Sequence, residues 1–378
     1  MSSPPEPPDQ PQVGGSTNAA AAAAVNDVVE PILHRSIGEL GLLEEVRVDG
    51  NRADVTVALI VEDHPEVGEL DARIATALRP LGLPDVRIRH LVVDDEERSA
   101  IVARLHSDGR VPFTDPGSRT RVLLISSGKG GVGKSSVTVN LSIALARRGH
   151  RVAIVDADVW GFSIPAMLGI DHPPTLIDQT MIVPPVAHGV ACASIGFFVR
   201  EDQPVVWRGP MLHKALEQFL TDFYWGEPDY LVVDMPPGTG DISISLAGFL
   251  PVAEAYVVTT PQAAAQRVAQ RAGLMFQSDN IRIPVRGVIE NMSWFTGDDG
   301  KRYELFGAGG GDELASRLDV PMIGQIPLVE AVRQGGDTGR PIVASEPKSE
   351  AALAFADIAE WIDEHRPTRR RNSALKVG

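Results

Sequence analysis

The sequence predicts an α/β protein: a doubly wound, mostly parallel sheet domain preceded by a small N-terminal α/β domain. Three observations carry that expectation. Beyond residue 120, short and near-continuous apolar runs alternate with helical patterns, as strands buried on both faces of a parallel sheet require. A glycine-rich loop, Gly128 to Gly133, stands between one such run and a helix. A stretch holding Gly109, Pro112, Pro116 and Gly117 separates this region from an earlier one with its own strand and helix periods.

A chain of 378 residues has room for about two domains. Its 43% hydrophobic and 22% charged residues are ordinary for a globular protein. The longest unbroken apolar stretch, Ala19–Val25, is far short of the roughly 20 residues that cross a bilayer, so no transmembrane helix is expected. The net charge of −15 disfavours broad binding to phosphate backbones, so no nucleic-acid partner is expected. The single cysteine, Cys192, excludes an internal disulfide and any zinc site made from several thiolates of one chain. That usage fits a reducing compartment, and with no basic n-region at the start the expectation is a cytoplasmic protein.

In chain order, residues 1–24 carry five prolines, two glycines and an alanine run, and read as a disordered leader. Residues 25–106 read as the small domain. Val25, Val28, Val29, Ile32 and Leu33 recur at helical spacing; Glu45–Val48 and Ala53–Ile60 read as strands joined through Asp49-Gly50-Asn51-Arg52. Val67, Leu70, Ile74 and Leu78 mark a second helix, Val86–Val93 a third strand and Asp94–His106 a closing helix. Residues 107–119 form the linker. Residues 120–365 form the larger domain, with strands at Arg121–Ser127, Arg151–Val155, Tyr230–Asp234, Ala255–Thr259, Val285–Ile289 and Met322–Gly324, and a last helix from Ser349 to His365. Residues 366–378 read as a flexible basic tail, with too few arginines and no amphipathic helix to hold a membrane.

The chemistry centres on Gly128-Lys129-Gly130-Gly131-Val132-Gly133-Lys134-Ser135. Glycines there let successive backbone N–H groups turn around phosphate oxygens, and the following helix adds the positive end of its dipole. In such a loop Lys134 reaches the β- and γ-phosphates and the Ser135 hydroxyl ligates Mg²⁺. A P-loop NTPase domain that hydrolyses ATP is the reading. Two further apolar strands end in carboxylates that face the same crevice: Val152–Val155 runs into Asp156-Ala157-Asp158, and Tyr230–Val233 into Asp234. Asp234 is expected to hold Mg²⁺, Asp156 to stand nearer the metal's outer shell, and Asp158 to orient or deprotonate the attacking water. The Gly238 N–H is expected at the γ-phosphate. Lys129 is not needed to cradle phosphate in its own chain; it is either a solvated lysine or one that serves a partner's nucleotide across a dimer interface.

The strings GKGGVGKSSVTVNLS, DADVWGFSIP, VVWRGPMLHKAL, LVVDMPPGTGD and ENMSWF resemble the Mrp family of ATP-dependent iron–sulfur cluster carriers, which stands with the MinD- and ParA-like deviant-Walker ATPases. The resemblance runs from about Val25 to His365 and likens the small domain to an iron–sulfur-assembly domain. It implies a homodimer with two ATP and two Mg²⁺ at the interface and Lys129 acting in trans. It also implies Asn291 on the adenine, a cluster as cargo, and apoproteins as acceptors. The departures are specific. Gly297 and Gly300 fall where the family has a CxxC pair, and His64-Pro65 where its small domain has a cysteine before a proline. A [4Fe–4S] cluster needs four thiolates, which this chain does not supply from that pair. His64 is either a ligand or a solvated loop histidine. Cys192 is either a core residue of a buried strand or a ligand, so the cluster ligands stay unassigned. Trp160, Trp207, Trp225 and Trp294 read as core or interface, and Arg208 as either interface or interior packing. Three functions compete: the ATP-driven cluster carrier, a ParA- or MinD-like regulatory or positioning ATPase without a cluster, and a non-catalytic adaptor locked by ATP.

Overall fold

The computed structural model describes residues 13–105, 111–114, 118–158, 161–178, 181–198 and 209–367. The chain divides into two units, Met1–His106 with Leu176–Val183, and Ser107–Thr175 with Pro184–Gly378. The larger region is therefore not continuous, as the sequence reading had it. The segment around 175–183 forms its own two-stranded hairpin, Thr175–Leu176 with Ile182–Val183, and adds no strand to the large sheet.

In the first unit, helix α1 spans Val13–Asn26, followed by strands β1 (Leu43–Asp49) and β2 (Arg52–Leu59), helix α2 (Val67–Leu78), strand β3 (Asp85–Val92) and helix α3 (Asp95–Leu105). β1 and β2 are antiparallel; β2 and β3 are parallel, joined through α2. Ala53, Val55 and Val57 alternate inward along β2, and Leu70, Ile74 and Leu78 form the buried face of α2, as the two periods require. Two readings are corrected here. The alanine run is helical: alanine is the best helix former, and Ala21 and Val25 are fully buried, so the helix gains packing that composition alone does not show. Conversely the helix stops at Asn26 rather than running through Leu33. Pro31 disfavours the α conformation of Glu30, and the 28–36 stretch closes a turn with a Val29–Ser36 bridge while Val28, Ile32 and Leu33 still point inward.

His64 is likewise neither solvated nor free to ligate. Its Nε2 lies 2.6 Å from Glu30 Oε1, both side chains are buried, and its Nδ1 accepts the Glu66 N–H at 3.2 Å. The second oxygen of Glu30 accepts the Leu33 N–H. The pair fastens the turn after α1 to the loop before α2.

In the second unit, β4 is Arg121–Ser127, α4 Lys134–Arg147, β5 Val152–Asp156, α5 Ile164–Leu168, β6 Val186–Ala187, β7 Val190–Ser194, β8 Tyr230–Asp234, β9 Glu254–Thr259, α6 Ala263–Gln277, β10 Val285–Asn291, β11 Met322–Ile326, α7 Glu330–Asp337 and α8 Glu350–Glu364. The sheet order is β11-β10-β9-β4-β8-β5-β7-β6, parallel throughout except for the short edge pair β6–β7. Strand order reverses beside β4, which opens a crevice at the carboxyl end of that strand. α4 is buried on nearly all sides because the sheet covers one face and α8 the other. Cys192 is fully buried in β7, and burial pushes its thiol up, as does the Asp156 charge. Trp225 is buried against Phe223 and Phe113. Trp160, Trp207, Arg208 and the arginines at 369–371 lie outside the described residues.

The opposite end of the sheet is closed by ion pairs that tie α8 down. Arg121 makes two 3.0 Å contacts with Glu254, both side chains nearly buried. Asp363 of α8 accepts from Tyr230 Oη at 2.8 Å, His150 Nε2 at 3.0 Å and Arg366. Partial burial alone would raise its carboxyl, but the donors from Arg366, His150 and Tyr230 outweigh it and hold the group well below the usual carboxylate range. A depressed carboxyl adds stability that is complete above the unfolded pKa and is lost as pH falls toward the folded one. Asp363→Ala is thus expected to cost about 2 kcal/mol at pH 7, and the gap from wild type to shrink as pH drops below about 4. Urea melts at pH 7 and pH 3 check it; an equal loss at both would refute the linkage.

Candidate functional site

The site grows from the turn between β4 and α4. Gly133, at φ +80°, caps the helix, and a Cβ there would stand 2.3 Å from Asn291 Nδ2. That amide donates to the Val132 carbonyl at 2.9 Å, so Asn291, at the end of β10, pins the loop from below. Lys134 opens α4 with a buried side chain. Its Nζ is 2.7 Å from Asp234 Oδ2 and 3.8 Å from Asp158 Oδ2. Ser135 Oγ donates to the same Asp234 Oδ2 at 2.7 Å.

Parallel register then sets the acids. β8 lies between β4 and β5, which places Asp234 beside Ile125 on one side and Asp156 on the other. Asp156 is fully buried and its oxygens are engaged: Ser194 Oγ donates to Oδ2 at 2.9 Å, and the amides of Asp158 and Ile164 donate at 3.3 and 3.4 Å. Burial first, then the neighbouring Asp234 charge, pushes Asp156 up to about 7. Asp156 therefore holds the segment that carries Asp158. The Gly238 N–H, expected at a phosphate, donates instead to the Ser127 carbonyl at 2.8 Å.

Thr138 escaped the sequence reading. It lies one helical turn beyond Lys134 on the same face, a spacing that would have pointed to it. Its fully buried Oγ1 is 2.6 Å from Asp234 Oδ1, so each oxygen of Asp234 has a hydroxyl donor. Thr138→Val leaves a buried carboxylate oxygen unpaired; it is expected to weaken Mg²⁺-dependent nucleotide binding about tenfold, with Thr138→Ser near wild type. Titration of nucleotide at several Mg²⁺ concentrations reads this, and equal affinities for the three proteins would refute it.

Lys129 stands apart. Its Nζ is 3.4 Å from Gln262 Oε1, at the start of α6, and its carbonyl accepts Ser127 Oγ at 3.1 Å. A cavity of about 330 Å³ opens over the loop; Lys134 and Asp158 line it, as do Met292, Leu328, Val329 and Val332. A lining that joins cationic and N–H donors to apolar side chains suits a phosphorylated ligand with a planar apolar group. The oxygen donors of Ser135 and Asp234, 2.7 Å apart, are the hard ligands that Mg²⁺ favours. Among the described residues no group of three or more His, Cys, Asp or Glu side chains is placed to hold a metal ion. Gly297 and Gly300 close the turn between the short strands Phe295–Thr296 and Arg302–Tyr303, where Arg302 lies over the Trp294 ring. No helix among the described residues is long and apolar enough to cross a membrane.

Residues 118–363 match the NUBPL iron-transfer P-loop NTPase family of the ParA group. An iron-sulfur cluster carrier protein of Mycobacterium tuberculosis is 45% identical over 372 residues, 95% of this chain and 96% of its own length. One from Synechocystis is 38% identical over 354 residues, 92% of this chain and 97% of its own. Among solved structures, a nucleotide-binding protein in complex with ADP from Archaeoglobus fulgidus is similar at a TM-score of 0.55 and 30% identity, over 65% of this chain and 96% of that one.

Proposed function

The chain belongs to the NUBPL iron-transfer P-loop NTPase family, and on that premise we propose that it hydrolyses ATP and carries iron–sulfur clusters to acceptor apoproteins. The observation that carries the nucleotide half is the cage of Lys134, Ser135 and Thr138 around the buried Asp234, with Lys134 and Ser135 lining the cavity above it. Phosphates entering over the amides of Gly130 to Gly133 draw Lys134 away from Asp234, exchanging one anion for another. Ser135 and Asp234 are the residues that would hold Mg²⁺, which supplies charge neutralisation on the phosphates. Asp158, whose amide Asp156 holds, orients the attacking water. Asn291 steadies the loop and borders the adenine, and Lys129 serves the nucleotide of a second copy in a cytoplasmic homodimer. Release of the γ-phosphate relaxes 234–241, which reports nucleotide state to the cargo.

The cargo half rests on the carrier relatives, and here the residues set a condition. Cys192 is buried with a raised thiol, so it does not reach a cluster without opening β7. Ligation then draws on a small thiol or on acceptor thiolates rather than on a cysteine pair of this chain. A regulatory ATPase of the ParA type is the second reading, favoured by the glycines at 297 and 300.

Anaerobic reconstitution with iron, sulfide and a low-molecular-weight thiol separates the two. Carriage predicts bound iron and sulfide that need the thiol, pass to an apoprotein, and are equal in wild type and Cys192→Ala. Intact ATP turnover with no bound iron would establish the regulatory reading instead.

A further inference from the structure

The cavity has two walls that meet outside it. One is the segment holding Asp158: its carbonyl accepts the Gly161 N–H at 3.1 Å, and α5 begins at Ile164, whose N–H is held by Asp156. Asp158, Ser163 and Met167 line the cavity from this side. The other wall is α7, which lines it with Val332, Arg333 and Gly336. The turn after α7 is closed by the Thr338 N–H on the Gln334 carbonyl, 3.0 Å, and the Arg340 N–H on the Gly335 carbonyl, 2.8 Å, so it travels with the helix.

At the far end the walls touch backbone to backbone. Gly169 ends α5 at φ +72°, and Gly339 sits in the turn after α7 at φ +66°. A Cβ on Gly169 would lie 2.7 Å from the Gly339 oxygen, and one on Gly339 would lie 2.4 Å from the Gly169 Cα. No side chain fits at either place, so no side chain can buffer a shift of one wall against the other. Interiors packed this closely transmit displacement instead of absorbing it. Met167 adds a second contact, 3.7 Å from where a Cβ of Gly336 would stand.

We propose that Gly169 and Gly339 are positioning residues: their contact makes α7 and the Asp158 segment one body, so that seating the base of a nucleoside phosphate sets Asp158 over the phosphates. The contact rests on the nucleotide reading of the cavity and adds to it a reason why the base matters to a reaction at the other end. A bare polyphosphate, with nothing to press on α7, would leave Asp158 unset.

Hydrogen exchange on the full chain with ADP tests this. At ADP about one hundred times its Kd, a segment whose opening expels the ligand exchanges about a hundredfold more slowly. In wild type that slowing is expected at both 128–138 and 161–170. In Gly339→Ala it is expected to persist at 128–138 and to fall to about onefold at 161–170, with kcat for ATP reduced more than KM is raised. Gly149→Ala is the control: φ is +92° there and nothing lies within 4 Å of the added Cβ, so it carries the conformational strain without the contact and should match wild type. If Gly339→Ala does not fold, Met167→Ala loosens the same interface and should lower the slowing at 161–170 alone. Retained slowing at 161–170 in the variant, or equal losses in both segments, overturns the proposal. Slowing at 128–138 but not at 161–170 in wild type also overturns it. Slowing in neither segment of wild type would overturn the nucleotide reading itself.

Discussion

Lys134→Ala is expected to abolish ATP turnover, lowering kcat/KM by at least about a thousandfold, the scale that a single cation on a transferred phosphoryl group contributes. The side chain is buried at the first turn of α4 with its ammonium already 2.7 Å from Asp234, so its place is set before any ligand arrives. The substitution removes more than a phosphate contact. It strips the buried Asp234 of its counter-ion and leaves only the hydroxyls of Ser135 and Thr138, at a cost of about 3 kcal/mol in stability. It also removes one of the charges that restrain Asp156, whose carboxyl then moves further above the usual range. Thermal melts should therefore show a less stable protein whose stability falls more steeply as pH rises toward neutrality, because a carboxyl with a raised pKa loses stability once it must ionise. Calorimetric ADP titration and a phosphate-release assay check the first claim. Turnover above about a tenth of wild type would remove Lys134 from the chemistry.

The parts of this site legible in the sequence are those whose signal is local. β4 and β8 run over Arg121–Ser127 and Tyr230–Asp234 as read, because each is a continuous apolar run buried on both sides and stopped by glycine or a carboxylate. The loop between β4 and α4 is legible because glycines, lysine and serine must stand at fixed offsets. What was not legible depends on partners far away in the chain. Glu30 and His64 meet across two turns, Asp156 takes its hydroxyl from Ser194, and Asn291 reaches back to Val132. None of these pairs leaves a pattern within a window of sequence. The alanine run misled for the opposite reason: its composition reads as disorder, and only the burial of Ala21 and Val25 shows why it is ordered. Asp156 is legible as an acid at a strand end beside Asp234, but its hold on Ser194 and on the amides of Asp158 and Ile164 is not.

Lys129→Ala is expected to lower ATP turnover about a thousandfold while leaving ADP and ATP affinity within about twofold of wild type. The two halves of that expectation come from one observation. In the single chain Lys129 reaches Gln262, at 3.4 Å, whereas Lys134 reaches both Asp234 and Asp158. Lys129 lines its own cavity, but with its ammonium at Gln262 and away from the Lys134–Asp234 pair, its loss is expected to spare affinity. On the proposed function, its value lies in meeting developing charge on the γ-phosphate of another copy. Specific activity of wild type should then climb with protein concentration, and that of Lys129→Ala should stay flat. Mixing gives the sharper result. A Lys129→Ala chain keeps an intact cage but lacks the finger; a Lys134→Ala chain keeps the finger but lacks the cage. Half of the dimers formed from an equal mixture are hybrids, each with one complete site, so activity should return to about a quarter of the wild-type value. A lysine acting within its own chain predicts no recovery at all. A mixture as inactive as its components would refute action across the interface, even with both single variants behaving as described.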